Sequence, residues 1–175
     1  MPEAHEAAEV KPPDVVLAEL AAVGGVLALL GDRDPVDLVG AAAGAAQRPF
    51  EHVDSRGLTT GDFDLLVRGS WSGRGWTLGA LSRTMETGGV FLMAHGEALL
   101  DDLRQRICRT MLTGKVLLRG PTPGADRTIK AAPGTAMILH VDDHQPMLLQ
   151  VYTQLKLFPA RLRADVSGPP PVARR

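Results

Sequence analysis

The sequence predicts an α+β domain: two N-terminal helices and an antiparallel sheet of about six strands. Three features lead there: a Trp-flanked hairpin at the centre, an amphipathic helix after it, and a long alternating stretch near the C-terminus. In the hairpin, Phe63, Leu65, Val67, Gly69 and Trp71 alternate with Asp64, Leu66, Arg68 and Ser70, the period of two of a half-buried strand. Ser72-Gly73-Arg74-Gly75 supplies the turn, and Trp76, Leu78 and Ala80 resume the alternation. Pairing Trp71 with Trp76 sets Gly69 opposite Leu78 and Val67 opposite Ala80, so one face is apolar throughout.

The elements follow in chain order. Residues 1–13 are rich in Ala and Glu and end in Pro12-Pro13, which predicts a disordered leader. Asp14 caps a helix over Val15 to Leu30, and Gly31 stops it. Its apolar residues wrap most of the way round, so it is buried or packed on a partner. The pair Gly24-Gly25 weakens it by about 1 kcal/mol per glycine and admits a close neighbour. Asp34 and Pro35 open a second helix running to Gln47. Arg48 to Gly61 reads as loop.

After the Trp hairpin, Glu86 to Gly89 reads as a turn and Val90 to Met93 as a third meander strand. Glu97 to Leu112 is the amphipathic helix: Leu99, Leu100, Leu103, Ile107 and Met111 share one face, and Gly114 ends it. Asp102 and Arg106 form a favourable pair one turn apart. Lys115 to Arg119 is a short strand and Pro121 to Asp126 a loop. Ala136 to Val141 and Met147 to Leu157 make a second hairpin, with Met147, Leu149, Val151, Thr153, Leu155 and Leu157 on one face. Residues 14–164 thus form one domain, and 165–175 a disordered Pro- and Arg-rich tail.

The 19 basic and 20 acidic residues leave a formal charge of −1, which gives no long-range attraction to nucleic acid or anionic membrane. Arg104, Arg106, Arg109, Lys115 and Arg119 are basic, but Asp101 and Asp102 lie beside them, as on a solvated face. Cys108 is the single cysteine, which excludes an intrachain disulfide and a cysteine-rich metal site. Val15 to Leu30 is too short for the roughly 20 residues of a membrane span and carries Glu19. Glu3, Glu6 and Glu9 make the preceding region acidic, unlike a signal peptide. The expected location is the cytoplasm.

Chemistry-bearing residues are few. His140, Asp142, Asp143 and His144 are the densest ligand-type cluster. They read as the frame of a hairpin turn, since Asp side chains bond nearby backbone N–H groups. A metal site there would need further ligands, and His95, His52 and Asp64 are the obvious donors, with nothing in the sequence to bring them close. The glycines from Gly69 to Gly75 lead from turn into strand and lack Gly-Lys-Ser/Thr, unlike a phosphate-binding loop. Ser70, Ser72 and Ser82 lack a nucleophile-elbow context. Glu97, Asp101 and Asp102 are expected on a solvated helix face.

These features point to a non-enzymatic protein-interaction or assembly subunit, self-associating or bound to a protein partner. The expected contact residues are Leu20 and Leu27 on the first helix and Trp71, Arg74 and Trp76 on the hairpin. No catalytic residue, metal, cofactor or nucleic-acid partner is expected. The alternative is a small metal- or ligand-binding enzyme using His140, Asp142, Asp143 and His144.

Overall fold

Gly24 and Gly25 divide the first expected helix into a helix and a strand. The computed structural model describes residues 11–142 and 163–166, and in it α1 (Pro13–Val23) stops at Gly24 while β1 (Gly25–Leu30) begins immediately. Gly24 has a φ of 89°, and a Cβ placed there would lie 2.5 Å from the carbonyl carbon of Gly134. Both facts require glycine. The expected helix over Val15 to Leu30 is therefore corrected. Its second half is a continuous apolar run, the pattern of a strand buried on both faces.

The remaining elements are α2 (Val36–Ala45), β2 (Phe50–Asp54) and α3 (Thr60–Asp62), which continues into a π-helical segment (Phe63–Arg68). Next come β3 (Gly69–Trp71), β4 (Trp76–Leu78), α4 (Ala80–Thr87) and β5 (Val90–Ala94). A short 3-10 turn (Gly96–Ala98), α5 (Asp101–Thr113), β6 (Lys115–Leu118), β7 (Arg127–Lys130), β8 (Ala136–Val141) and β9 (Arg163–Asp165) complete the chain order.

The main sheet has the order β2-β5-β8-β1-β9, and each neighbouring pair in it is parallel. The expected antiparallel α+β architecture is thus wrong: this is an α/β fold, with two small antiparallel ribbons, β3-β4 and β6-β7, beside the sheet. Parallel neighbours need long crossovers. The chain supplies them through α4 between β2 and β5, and through α5 between β5 and β8.

Two cores lie on opposite faces of the sheet. Leu27, Leu29, Leu92, Ala136 and Ile138 pack with α1 and α2 through Leu17, Leu20, Val39 and Ala43. Ala28, Phe91, Met93, Met137 and Leu139 pack on the other side with Met85 of α4, with Leu103 and Ile107 of α5, and with Phe63 and Val67. Successive strand residues go to opposite cores, as the pleat requires, and so both faces of β5 and β8 are buried.

Several local expectations change with the topology. Arg48 to Gly61 is not all loop, because β2 occupies its centre as an edge strand. Glu86 to Gly89 is no hairpin turn. Thr87 ends α4, and Gly88 caps it in the left-handed region at φ 71°. The Trp hairpin keeps its register, with Trp71 opposite Trp76 and Gly69 opposite Leu78, but the strand does not extend back to Phe63. Thr59 and Asp62 form a capping box there, which starts a helix. Phe63 and Val67 face the core while Leu65 and Leu66 face out, a helical division rather than a strand-like one.

The amphipathic helix forms later than expected, from Asp101, and ends at Gly114 with φ 63°. β8 lies between β1 and β5, so both of its edges are taken. The expected partner arm, Met147 to Leu157, lies outside the described residues.

This packing sets a first prediction. Leu27→Asp buries an unpaired charge in a position with no exposure, which costs several kcal/mol, and should abolish the folded circular dichroism signal and cooperative urea unfolding. Arg74→Ala at the exposed hairpin tip should change stability by no more than about 0.5 kcal/mol.

Candidate functional site

Parallel strands deliver the residues that follow them to one edge of the sheet, and there a few ionisable side chains meet. The ends of β1, β2, β5 and β8 lead into Gly31, Ser55, His95 and Asp142. In open α/β sheets this carboxyl edge is where ligands bind.

His140 is at its centre. It is fully buried at the penultimate position of β8. Its Nδ1 receives the backbone N–H of His95 at 3.1 Å, and its Nε2 lies 2.8 Å from the carbonyl oxygen of Gly31. A backbone N–H can only donate and a carbonyl can only accept. The proton therefore sits on Nε2, and the neutral imidazole ties the ends of β1 and β5 to β8. Burial, the largest influence, lowers the His140 pKa from its ordinary 6.5, and nearby His95 acts the same way. The Gly31 carbonyl, Glu97 and Asp142 oppose them.

Around it, His95 takes a left-handed backbone conformation, φ 57°, uncommon for a residue with a side chain. Its Nδ1 lies 3.4 Å from Glu97 Oε1, and the His95 and His140 rings meet edge to face at 5.2 Å. The second Glu97 oxygen accepts the Asp142 backbone N–H at 3.0 Å. Ligand atoms of His95, Glu97 and His140 all lie within 4.8 Å of one another. Farther along the edge, Arg56 holds Asp54 at 2.6 Å, and this hydrogen bond chiefly lowers the Asp54 pKa. Ser55 Oγ is the one buried side-chain polar atom without a hydrogen-bond partner among the described residues.

The residues singled out from the sequence are distributed differently from expectation. His140 is on a central parallel strand and frames no hairpin turn, while Asp143 and His144 lie outside the described residues. His95 is brought to His140, whereas His52 projects from edge strand β2 and stacks on Phe50. Asp64 pairs with Arg68. Glu97, expected on a solvated helix, lies in the 3-10 turn with its side chain 18% exposed. The signal that links His95 and His140 was the position of each beside the end of an apolar run, read together with a parallel sheet.

The expected contact residues separate into two groups. Leu20 and Leu27 are inside, at 7% and 0% exposure. Trp71 is 38% exposed, Arg74 is exposed at the tip, and Trp76 is partly buried against Trp71 at a ring distance of 5.4 Å. Leu65 and Leu66 stand beside them at 52% and 50% exposure, and Leu66 also lines an open groove of about 460 Å³ with His52, Leu58 and Arg83. The basic residues are largely paired: Arg104 with Asp101, Arg106 with Asp102 and Asp64, and Arg119 with Asp126. Cys108 is buried, which pushes its thiol up to about 12. Among the described residues no helix is long and apolar enough to cross a membrane.

A parallel, helix-covered sheet of this kind defines the class as α/β, and solved structures agree. The chain is similar to NtrX from Brucella abortus in complex with ATP, at 14% identity and a TM-score of 0.60, covering 88% of this chain and 36% of that one. The ADP complex of the same protein gives 15% identity, a TM-score of 0.60, and coverage of 88% and 35%. A further NtrX structure gives 18%, 0.62, and coverage of 89% and 34%. This chain thus spans about a third of the length of those proteins, and at these identities the likeness establishes the fold alone. No protein-family model matches the chain. No curated protein matches it.

The His140 clasp sets a pH prediction. The unfolded chain takes up a proton near pH 6.5, while folded His140 resists it to a lower pH. Its contribution to stability is therefore complete above about 6.5 and is lost as the pH falls through the lower folded value. Urea midpoints of the wild type should fall more steeply below about pH 6.5 than those of His140→Ala. At neutral pH that variant should be destabilised, since each buried group left unpaired costs about 1–3 kcal/mol. Equal pH slopes in the two proteins would remove the clasp from the account.

Proposed function

We propose that this chain is a non-catalytic protein-interaction module, an accessory or assembly subunit that presents the segment from Leu65 to Trp76 to a protein partner in the cytoplasm. The observation that carries the reading is the exposure of Leu65, Leu66 and Trp71 at 52%, 50% and 38% within seven residues, with Arg74 next to them. Trp and Arg dominate the energetics of protein interfaces, and aromatic residues are only 4% of this chain. The buried, unreactive Cys108 suits a reducing compartment.

The competing reading is nucleotide chemistry, since the NtrX structures of similar fold hold ATP and ADP. A phosphate on this fold class would be cradled by free N–H groups at the start of the helix after the first strand. Here that connection is Gly31-Asp32-Arg33-Asp34-Pro35. Asp34 Oδ1 already accepts the Val36 N–H at 3.0 Å, and Pro35 contributes no N–H. The connection has no Gly-Lys-Ser/Thr. Its carboxylate chemistry opposes a phosphate.

The test has two arms. A fluorescent ATP analogue should show no saturable binding at micromolar concentration; saturable binding there would move the reading to a nucleotide-dependent enzyme. Affinity capture should then retain a partner on the wild type and on Glu19→Gln, remote from the hairpin, but lose it on Leu66→Asp and Trp71→Ala. Circular dichroism should show all three variants folded. Retention of the same partner by Leu66→Asp and Trp71→Ala would sink this surface.

A further inference from the structure

We propose that His95, Glu97 and His140 bind a divalent transition-metal ion, zinc by their chemistry, at the carboxyl edge of the sheet. The site goes beyond the interaction reading and is independent of it. Two imidazoles and one carboxylate form a donor set that suits zinc, whereas magnesium and calcium prefer all-oxygen sites.

The geometry is close to the one required. Tetrahedral zinc with bonds of about 2.0–2.2 Å places neighbouring ligand atoms about 3.3–3.6 Å apart. His95 Nδ1 and Glu97 Oε1 are 3.4 Å apart, so one edge is already in place. All three ligand atoms lie within 4.8 Å, so the other edges close by side-chain rotation of about 1.5 Å or less, given the same bond lengths. The remaining vertex is left for water.

The surroundings hold the ligands as metal sites require. A ligating histidine usually donates its second ring N–H to a carbonyl or carboxylate. His140 Nε2–H does so to Gly31 at 2.8 Å, which leaves the lone pair on Nδ1 for the metal. The Asp142 N–H fixes the second oxygen of Glu97 at 3.0 Å. One contact must yield: the His95 N–H now directed to His140 Nδ1 at 3.1 Å.

The experiment is calorimetric titration of Zn²⁺ into the chelator-treated full chain, with Co²⁺ absorption as a reporter of tetrahedral nitrogen and oxygen ligation. The wild type should bind one equivalent. His95→Asn, which keeps a residue that tolerates positive φ, and Glu97→Gln should each weaken binding by at least about 100-fold, because outer partners alone are worth roughly 10- to 100-fold. His144→Ala should bind as the wild type does. No binding by the wild type, or unchanged binding by folded His95→Asn and Glu97→Gln, would overturn the site. Loss on His144→Ala with retention on the other two would overturn it in favour of the 140–144 segment.

Discussion

The constraint on which this protein depends is the absence of a water-facing side on its central strands. Every residue of β5 and β8 is buried, and Leu27 to Leu29 of β1 are buried as well. Backbone groups in such strands have no water to bond, so each must find a neighbouring strand. Side chains on both faces must find a helix. The order of the sheet, the helical crossovers and the division into two cores all follow. So does the pair of glycines before β1, since the strand can enter beside β8 only if the backbones of Gly24 and Gly134 nearly touch. A side chain at Gly24 would push apart the first turn of the whole sheet.

Parallel pairing has a second consequence, which concerns chemistry rather than stability. Four strands that run the same way end at the same edge, and the polar residues after them are collected without being near in sequence. His95 and His140 are separated by 45 positions, yet one ring accepts a hydrogen bond from the other residue's backbone. The neutral form of His140 is enforced by what surrounds it, a donor on one side and an acceptor on the other. At the adjacent strand end, Asp34 occupies an N–H of α2. The edge where this fold class receives ligands has therefore been given histidine and carboxylate in place of a loop of free amides.

How much of this could be read from the residues depends on which physical signal each segment carries. The Trp71–Trp76 register was legible because turn glycines and aromatic partners act locally. α5 and its stop at Gly114 were legible because amphipathic spacing and a left-handed cap are also local. Parallel pairing has no such local mark. Gly25 to Leu30, Val90 to Ala94 and Ala136 to Val141 are short apolar runs, equally compatible with buried helix and buried strand. Their true partners are distant in sequence. Without the sheet's direction, the meeting of His95 with His140 is not visible in the residues, and Glu97 reads as solvated.

Leu65 shows the same issue at the scale of one residue. In a strand, Phe63, Leu65 and Val67 would share a face, and Leu65 would be core. In a helix, Phe63 and Val67 lie one turn apart on one side while Leu65 and Leu66 turn away. The capping box at Thr59 and Asp62 decides between them, because it satisfies two backbone donors that only a helix leaves open. The helix then passes through a π segment and stops at Gly69, where φ 111° and the close backbone of Thr77 admit nothing larger. Phe63 and Val67 thereby tie the segment before the hairpin to the core, and Leu65, Leu66 and Trp71 are left exposed. An exposed apolar group on a mobile loop must be ordered before it can bind, at a cost in side-chain and loop entropy. If this segment is the docking surface proposed above, the core contacts of Phe63 and Val67 already supply part of that ordering.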